Sequence, residues 1–274
     1  MARPARQHSI DIRLPAVAGL FYPGEPRNLD GTVDTLLRAA QAPSDKTDTV
    51  PKALIVPHAG YVYSGPIAAS AYRLLAPARE TVKRVVLLGP THRVAVRGLA
   101  LPGAARFATP LGTIELDTEA AESIRNLRQV VVSDEAHALE HSLEVHLPFL
   151  QKVLASFSLV PLAVGYAGPE DVAEVLEALW GGPETLIVVS SDLSHYLSYA
   201  QAQRVDRETC DAILHLQSDI DHEQACGATP VSGLTLLAQR KSLSPRLLDL
   251  RNSGDTAGDK SRVVGYASFA FYEP

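Results

Sequence analysis

Only two cysteines, Cys210 and Cys226, occur in the 274 residues of this chain. Two thiols cannot build a disulfide framework, and in a reducing compartment they are free, buried or metal-bound more often than bridged. Positive charge is scarce as well. The 25 Lys and Arg against 31 Asp and Glu leave a net charge of −6, so the basic footprint of a nucleic-acid partner is missing. No run stays apolar long enough to span a bilayer, and the arginines of the opening MARPARQHSIDIRLPAVAG lead into no apolar core of signal-peptide length. A cytoplasmic protein with no membrane partner is the expectation. The chain also lacks internal repeats, low-complexity tracts, a nucleophile elbow and the H-E-x-x-H zinc helix.

What is there reads as a globular chain with a substantial core, since 46% of its residues are hydrophobic. One α/β domain spanning 1–274 is expected, because such folds reach this size as a single unit. A helix pattern around 29–40 precedes a polar, Pro-bounded loop at 41–51, QAPSDKTDTVP. Residues 53–56 read as a buried strand, 67–75 as a helix after the Gly65-Pro66 start, and 85–88 as the next strand. The right-handed crossover rule makes these two strands parallel, so the loops that follow them leave from one end of the sheet. Short apolar runs from 98 to 115 predict a hairpin inserted at the sheet edge. Strands at 130–132, 158–164 and 186–189 then alternate with helices at 143–155 and 169–179. Helices at 199–217 and 231–240 and strands at 246–250 and 263–272 complete an α/β pattern, with RNSGDTAGDKS as a loop between the last two strands.

Three metal-competent side chains stand out although no local motif joins them: His58 in PHAGYVYSG, His92 in GPTHR and Cys226 in ACGATP. Both histidines follow the crossover strands directly. A neutral imidazole so placed either donates a lone pair to a divalent metal or satisfies loop backbone groups. Cys226 precedes a helix, whose N-terminus favours a thiolate for ligation or redox work. Its alternative is a small buried hydrophobe, the reading that suits Cys210. SSDLSHY puts Asp192 and His195 three apart, on one face if the turn is helical, as an acid/base pair in which the carboxylate sets the imidazole tautomer. The alternative there is a capped helix start against which His195 merely packs. Ser190, Ser191 and Ser194 sit in no nucleophile elbow.

EAHALEHSLEVHLPFL carries His137, His141 and His146. Ser142 reads as the N-cap of a helix with Leu143, Leu147 and Leu150 as its apolar stripe, leaving His146 on the helix face and His141 free to enter a cleft. Glu144 is either an acceptor behind a metal-bound histidine or a charge that stabilises the helix N-terminus. Tyr61 and Tyr63 either line a pocket or belong to the core.

Taken in order, LPAVAGLFYP, PHAGYVYSG, LLGPTH, EHSLEVHLPFL, SSDLSHY and ACGATP resemble the Memo (mediator of cell motility) family, whose prokaryotic members are called AmmeMemoRadiSam system protein B. The resemblance covers nearly the whole chain. It implies the fold of class III extradiol ring-cleaving dioxygenases, a single-domain three-layer α/β sandwich with a mostly parallel central sheet plus antiparallel strands. In those enzymes two histidines and a glutamate hold non-heme iron(II). On that pattern His58 and His92 are the histidine ligands, and His195 beside Asp192 is the catalytic acid/base histidine. Where the dioxygenases have glutamate the Memo family has cysteine, here Cys226. A thiolate favours copper or a redox-active iron over a hard oxygen-ligated site. His141 and Glu144 fit the family's EHSxE motif and, with Tyr61, take a supporting role at the pocket. The prokaryotic name implies an AMMECR-type domain protein and a radical SAM protein as partners.

Two functions are consistent with these residues. One is a metal-dependent oxidoreductase with iron(II) or copper on His58, His92 and Cys226 and with Asp192 and His195 moving protons. The other is a non-catalytic module that binds a peptide or small-molecule ligand in the same pocket. Zinc is a third option, although a thiolate and the lack of carboxylates suit metal-dependent hydrolysis less.

Overall fold

The structure, a computed structural model, describes residues 11–40 and 49–274. The opening residues and most of the loop read at 41–51 lie outside the described residues.

After β1 (Ile12–Arg13), α1 (Pro26–Ala39) turns Leu29 and Val33 into the core. The first crossover is β2 (Ala53–Val56), α2 (Tyr61–Tyr72) and β3 (Arg84–Pro90). The helix starts at Tyr61, ahead of the Gly65-Pro66 signal, because Ser64 N donates to Gly60 O and Ser64 Oγ to Ala59 O and close its first turn. Then come β4 (Leu99–Leu101), β5 (Arg106–Thr109), β6 (Gly112–Glu115), α3 (Thr118–Ile124), β7 (Val130–Val132) and α4 (Asp134–Ala138). A 3-10 turn at Glu144–His146 leads into α5 (Leu147–Val153), so the helix predicted from 143 begins later. The chain continues through β8 (Ser158–Val164), α6 (Pro169–Ala178), β9 (Thr185–Ser190) and β10 (His195–Leu197). It ends with α7 (Tyr199–Leu214), α8 (Ala228–Arg240), β11 (Ser244–Asn252), α9 (Ser253–Thr256) and β12 (Val263–Tyr272).

The main sheet runs β10-β12-β2-β9-β3-β8-β4-β7, with β11 also paired to β12. Its four central strands, β2, β9, β3 and β8, are mutually parallel, and antiparallel pairs flank them at β12–β2 and β8–β4. The crossover strands β2 and β3 are therefore parallel as expected, but β9 lies between them. The predicted edge insertion divides: β4 joins the main sheet, while β5 and β6 form a separate three-stranded sheet with β1. Helices cover both faces, which is why the central strands read as unbroken apolar runs. One core layer holds Leu29, Val33 and Phe149 beneath α1, α2 and α5; the other holds Val172, Cys210 and Val231 beneath α6, α7 and α8. The architecture is a mixed three-layer α/β sandwich. Among the described residues no helix is long and apolar enough to cross a membrane.

Candidate metal centre

The carboxyl ends of β2, β9 and β3 carry the candidate residues to one edge of the sheet, where ligands of open α/β sheets collect. His58 stands two residues past β2, His92 two past β3, and Asp192 two past β9, between them. His141 arrives from the turn between α4 and the 3-10 segment, which lies across the end of β3. A Cβ on Gly89 would come 2.8 Å from Ser142 Oγ, so glycine is what lets this turn approach, and Ser142 Oγ then donates to Pro90 O at 2.8 Å. Ser142 thus ties the turn to β3 and is not a helix cap. Cys226 is set at the head of α8, where Gly227 presses against the Ser190 carbonyl and the Ser191 side chain.

His58, His92 and His141 form a group whose ligand atoms all lie within 4.8 Å of one another. Their partners define which nitrogen faces the centre. Ser190 Oγ donates to Ser142 O at 2.6 Å, so its one proton is committed and it accepts from His58 Nδ1, also at 2.6 Å. His92 Nδ1 lies 2.8 Å from Glu140 Oε1 and His141 Nδ1 lies 3.3 Å from the same oxygen. Glu140 is acceptor-only when ionised, so the Nδ1–H of His92, like that of His58, is turned outward and both Nε2 lone pairs are left for the centre. Burial, followed by the neighbouring histidines, lowers the His58 pKa well below its ordinary value; burial and His92 lower that of His141 to about 4. These two donors are therefore neutral at pH 7, as metal ligation requires.

Glu140 is the functional residue that motif reading passed over. It is 2% exposed and accepts from His92 N at 2.6 Å, from His141 N and Ser142 N at 2.9 Å each, and from the His92 ring. Despite burial, those hydrogen bonds and His92 hold its carboxyl at about 2. Its signal in the sequence was adjacency to His141. Glu144 is the correction: it is neither behind a metal-facing histidine nor a free helix-end charge. Its fully buried carboxylate accepts from Arg13, from the Tyr22 hydroxyl and from the backbone N–H groups of Ala16 and Val17. It anchors the segment that brings Phe21 against His141, with ring centroids 4.8 Å apart.

The Asp192–His195 pair is also corrected. SSDLSHY is not helical, and His195 Nδ1 donates to Leu193 O at 2.8 Å, with no hydrogen bond to Asp192. The Nε2 lone pair of this exposed imidazole is again left free. Tyr196, beside it, adopts φ +59°, and that left-handed residue accompanies the register shift that lets His195 and Leu197 both pair with β12. Asp192 Oδ1 instead accepts from His58 N at 2.7 Å, and its Oδ2 lies 4.0 Å from His58 Nε2. Burial raises the Asp192 carboxyl to about 6, against the opposing pull of the His58 N–H and the charge of His195.

Cys226 Sγ lies 3.3 Å from His58 Nε2 and accepts from Asp192 N at 3.3 Å. The three-residue group nevertheless takes His141 as its third member. Two donors on one ion at about 2.0 and 2.3 Å stand roughly 3.5 Å apart at a tetrahedral angle, so this thiol is within reach of an ion on His58. Its expected acidity is reversed. Burial and the Asp192 charge push the thiol up to about 12, outweighing the N–H groups around it. Cys210 is buried in the core, as read from the sequence, and both cysteines are free.

Tyr61 does not face the pocket. It is 6% exposed, and its hydroxyl donates to Val145 O within the core. His137 and His141 flank Glu140 at H-x-x-E-H spacing, but α4 ends at Ala138 and His137 Nε2 is directed to Ala100 O at 2.8 Å. His146 pairs with the Tyr72 hydroxyl. Ser190 and Ser191 are buried in hydrogen bonds and present no nucleophile.

A family model described as Memo-like protein matches residues 13–270. The chain belongs to the Memo family. Its relatives include a MEMO1 family protein of Methanopyrus kandleri, 36% identical over 94% of this chain and 98% of that one. Others are MEMO1 family proteins of Aquifex aeolicus, at 34% over 95% and 99%, and of Archaeoglobus fulgidus, at 36% over 95% and 99%. A solved structure, an uncharacterized protein from Escherichia coli K12, superposes with a TM-score of 0.47 at 14% identity, over 78% of this chain and 98% of that one. In this Memo-family chain the separate segments PHAGY, GPTH, EHS, SSD and ACG meet at one sheet edge. Two of them, EHS and SSD, supply the groups that hold the imidazoles in place.

Proposed function

We propose that this Memo-family protein holds one divalent transition metal ion through His58, His92 and His141, with Cys226, on losing its proton, as a further donor. The observation that carries this reading is the convergence of three imidazoles within 4.8 Å, with the rear nitrogens of His58 and His92 already hydrogen-bonded outward. Imidazoles beside a thiol suit iron(II) or copper, with zinc as the redox-inert alternative. When bound, such an ion supplies Lewis acidity and, as iron or copper, a redox couple. The chain's own residues provide the rest. His195 presents a free Nε2 that can take a proton from a ligand, and Asp192 holds the backbone of His58 through its carboxylate and the Cys226 sulfur through its own N–H. The reading extends to a redox role alongside an AMMECR-type domain protein and a radical SAM protein, the partners that the family resemblance implies.

Tag-free protein purified anaerobically should contain stoichiometric metal by elemental analysis. His58→Ala and His141→Ala should each lower metal affinity by at least the roughly 10- to 100-fold typical of a lost outer-shell partner. Because the Cys226 thiol is protonated at pH 8, metal uptake should release a proton that calorimetry in buffers of different ionisation enthalpy detects. Cys226→Ser should abolish that release. Unchanged affinity and unchanged proton release in this variant would remove the thiol from the donor set. Full affinity in His141→Ala would remove the third imidazole. Apo protein that takes up no metal would leave the non-catalytic, ligand-binding alternative.

A further inference from the structure

Buried tyrosines in this protein have partners for their hydroxyls, with two exceptions among the described residues: Tyr272, which lies at the far end of β12 with Arg246 over its ring, and Tyr266. Tyr22 donates to Glu144, Tyr61 to Val145 O, and Tyr72 pairs with His146 Nδ1. Tyr266 is 2% exposed, yet among the described residues its hydroxyl is neither hydrogen-bonded nor sealed from accessible space. An unpaired buried hydroxyl is unfavourable unless water or a ligand meets it.

The sheet register locates this group. β12 pairs antiparallel to β2, with Phe269 opposite Ile55 and Phe271 opposite Ala53. Past the end of that ladder β12 runs beside the Asp192–His195 loop instead of β2, so Tyr266 lies by Asp192, whose carboxylate accepts from His58 N at the edge where the histidines gather. Alternation along the strand supplies the direction. Phe269 and Phe271 enter the core layer beneath α6 and α8, whereas Ala270 and Tyr272 enter the layer beneath α1 and α2. Tyr266 shares the second parity, so it faces the side from which α2 starts. Its neighbour Gly265 accepts from Leu193 N at 2.8 Å and donates to Ser194 O at 2.9 Å, joining it to the Asp192–His195 loop. Burial, the Asp192 charge and the phenols of Tyr63 and Tyr196 all hold the Tyr266 phenol above its ordinary range, which keeps it a donor.

Two arginines offset the carboxylates of Asp192 and Glu140 around this edge. Arg93, adjacent to His92, is exposed, and its charge is felt at His141. Arg262 lies 5.4 Å from the Tyr196 ring centroid. Among the described residues neither arginine has a carboxylate partner.

We propose that Tyr266 is the hydrogen-bond donor to one oxygen of a small carboxylate ligand bound at the histidine cluster, so that the site selects ligands with an oxygen placed to reach it. The proposal rests on the metal-site reading above. Its test uses cobalt(II) as the probe metal, whose visible spectrum reports on bound anions, with acetate and chloride as probe ligands. Tyr266→Phe should take up cobalt like the wild type, bind chloride equally well and bind acetate about tenfold more weakly, the loss of one charge-assisted hydrogen bond. Equal acetate affinity, or equal losses for acetate and chloride, would overturn the proposal. A wild type that takes up no cobalt would overturn the metal reading instead, and the proposal with it. Thermal unfolding of the metal-free proteins is an independent readout: Tyr266→Phe should be at least as stable as the wild type, whereas Tyr61→Phe should lose stability. Matching losses in the two variants would show the Tyr266 hydroxyl to be paired within the protein, and would overturn the proposal as well.

Discussion

Two carboxylates four residues apart, Glu140 and Glu144, are both almost fully buried and do different work. Glu140 orients His92 and three backbone N–H groups at the metal-facing turn; Glu144 neutralises Arg13 and anchors the N-terminal segment. Glu140→Gln should lower metal affinity roughly 10- to 100-fold, measured by calorimetry, because the His92 tautomer loses its ionised acceptor. Glu144→Gln leaves a buried guanidinium uncompensated and should cost about 3 to 5 kcal/mol in denaturant unfolding, with little change in metal affinity. Exchanged outcomes would exchange the roles. At this scale the sequence marked His58, His92 and Cys226 by type and by position after strands. It could not distinguish the two glutamates, because both sit in one polar stretch and only the path of the turn decides which carboxylate meets a histidine.

Among the elements, β9 matters most to the site. Its place between β2 and β3 puts Ser190 against His58 and Asp192 under the cluster, a neighbour relation that the alternation of strands and helices leaves open. β-strand periodicity and the crossover rule predicted parallel β2 and β3, and both were legible because buried parallel strands are uniformly apolar. For SSDLSHY the condition that would have put Asp192 and His195 on one helical face is not met: Asp and Ser favour helix starts in general, but here pairing with β12 wins. Glycines test the element packing. Gly227→Ala places a methyl group against the Ser190 carbonyl and Ser191, so it should lose about 1 to 3 kcal/mol and weaken metal uptake, since both Cys226 and the Ser190 support of His58 must shift. Gly31→Ala, in α1 with nothing near its added Cβ, should gain about 0.5 to 1 kcal/mol without touching the site. Urea unfolding curves for the two variants should therefore move in opposite directions.

The molecule as a whole should be acid-sensitive. Burial lowers His137 to about 4 and His146 to about 3, from an ordinary value of 6.5. Below pH 6.5 the unfolded chain binds protons that the folded chain refuses, so stability present at pH 7 declines as pH falls toward those values, for each histidine by on the order of 3 kcal/mol. Asp192 works the other way. Raised to about 6 from 3.8, it is protonated first in the folded state and restores part of the loss between those values. Urea unfolding at pH 7, 5.5 and 4.5 should show net destabilisation, and His137→Phe should flatten the slope while lowering stability at pH 7, where the Ala100 carbonyl loses its donor. A wild-type profile flat over this range would contradict the neutral burial of both histidines.

The sequence by itself determined the α/β architecture and the family, because apolar periodicity and a set of ordered motifs are local properties of the chain. It also determined that His58 and His92 share one sheet edge, since parallel strands joined by a right-handed crossover must end together. The tertiary structure decided the rest. It made His141 a member of the cluster, gave Glu140 the task of holding it, left Cys226 a protonated thiol beside His58, and brought Tyr266 next to the Asp192–His195 loop at the same edge. Those outcomes depend on strand order, on burial and on which turn crosses which strand end. They are contacts between residues far apart in the chain, so no local pattern encodes them.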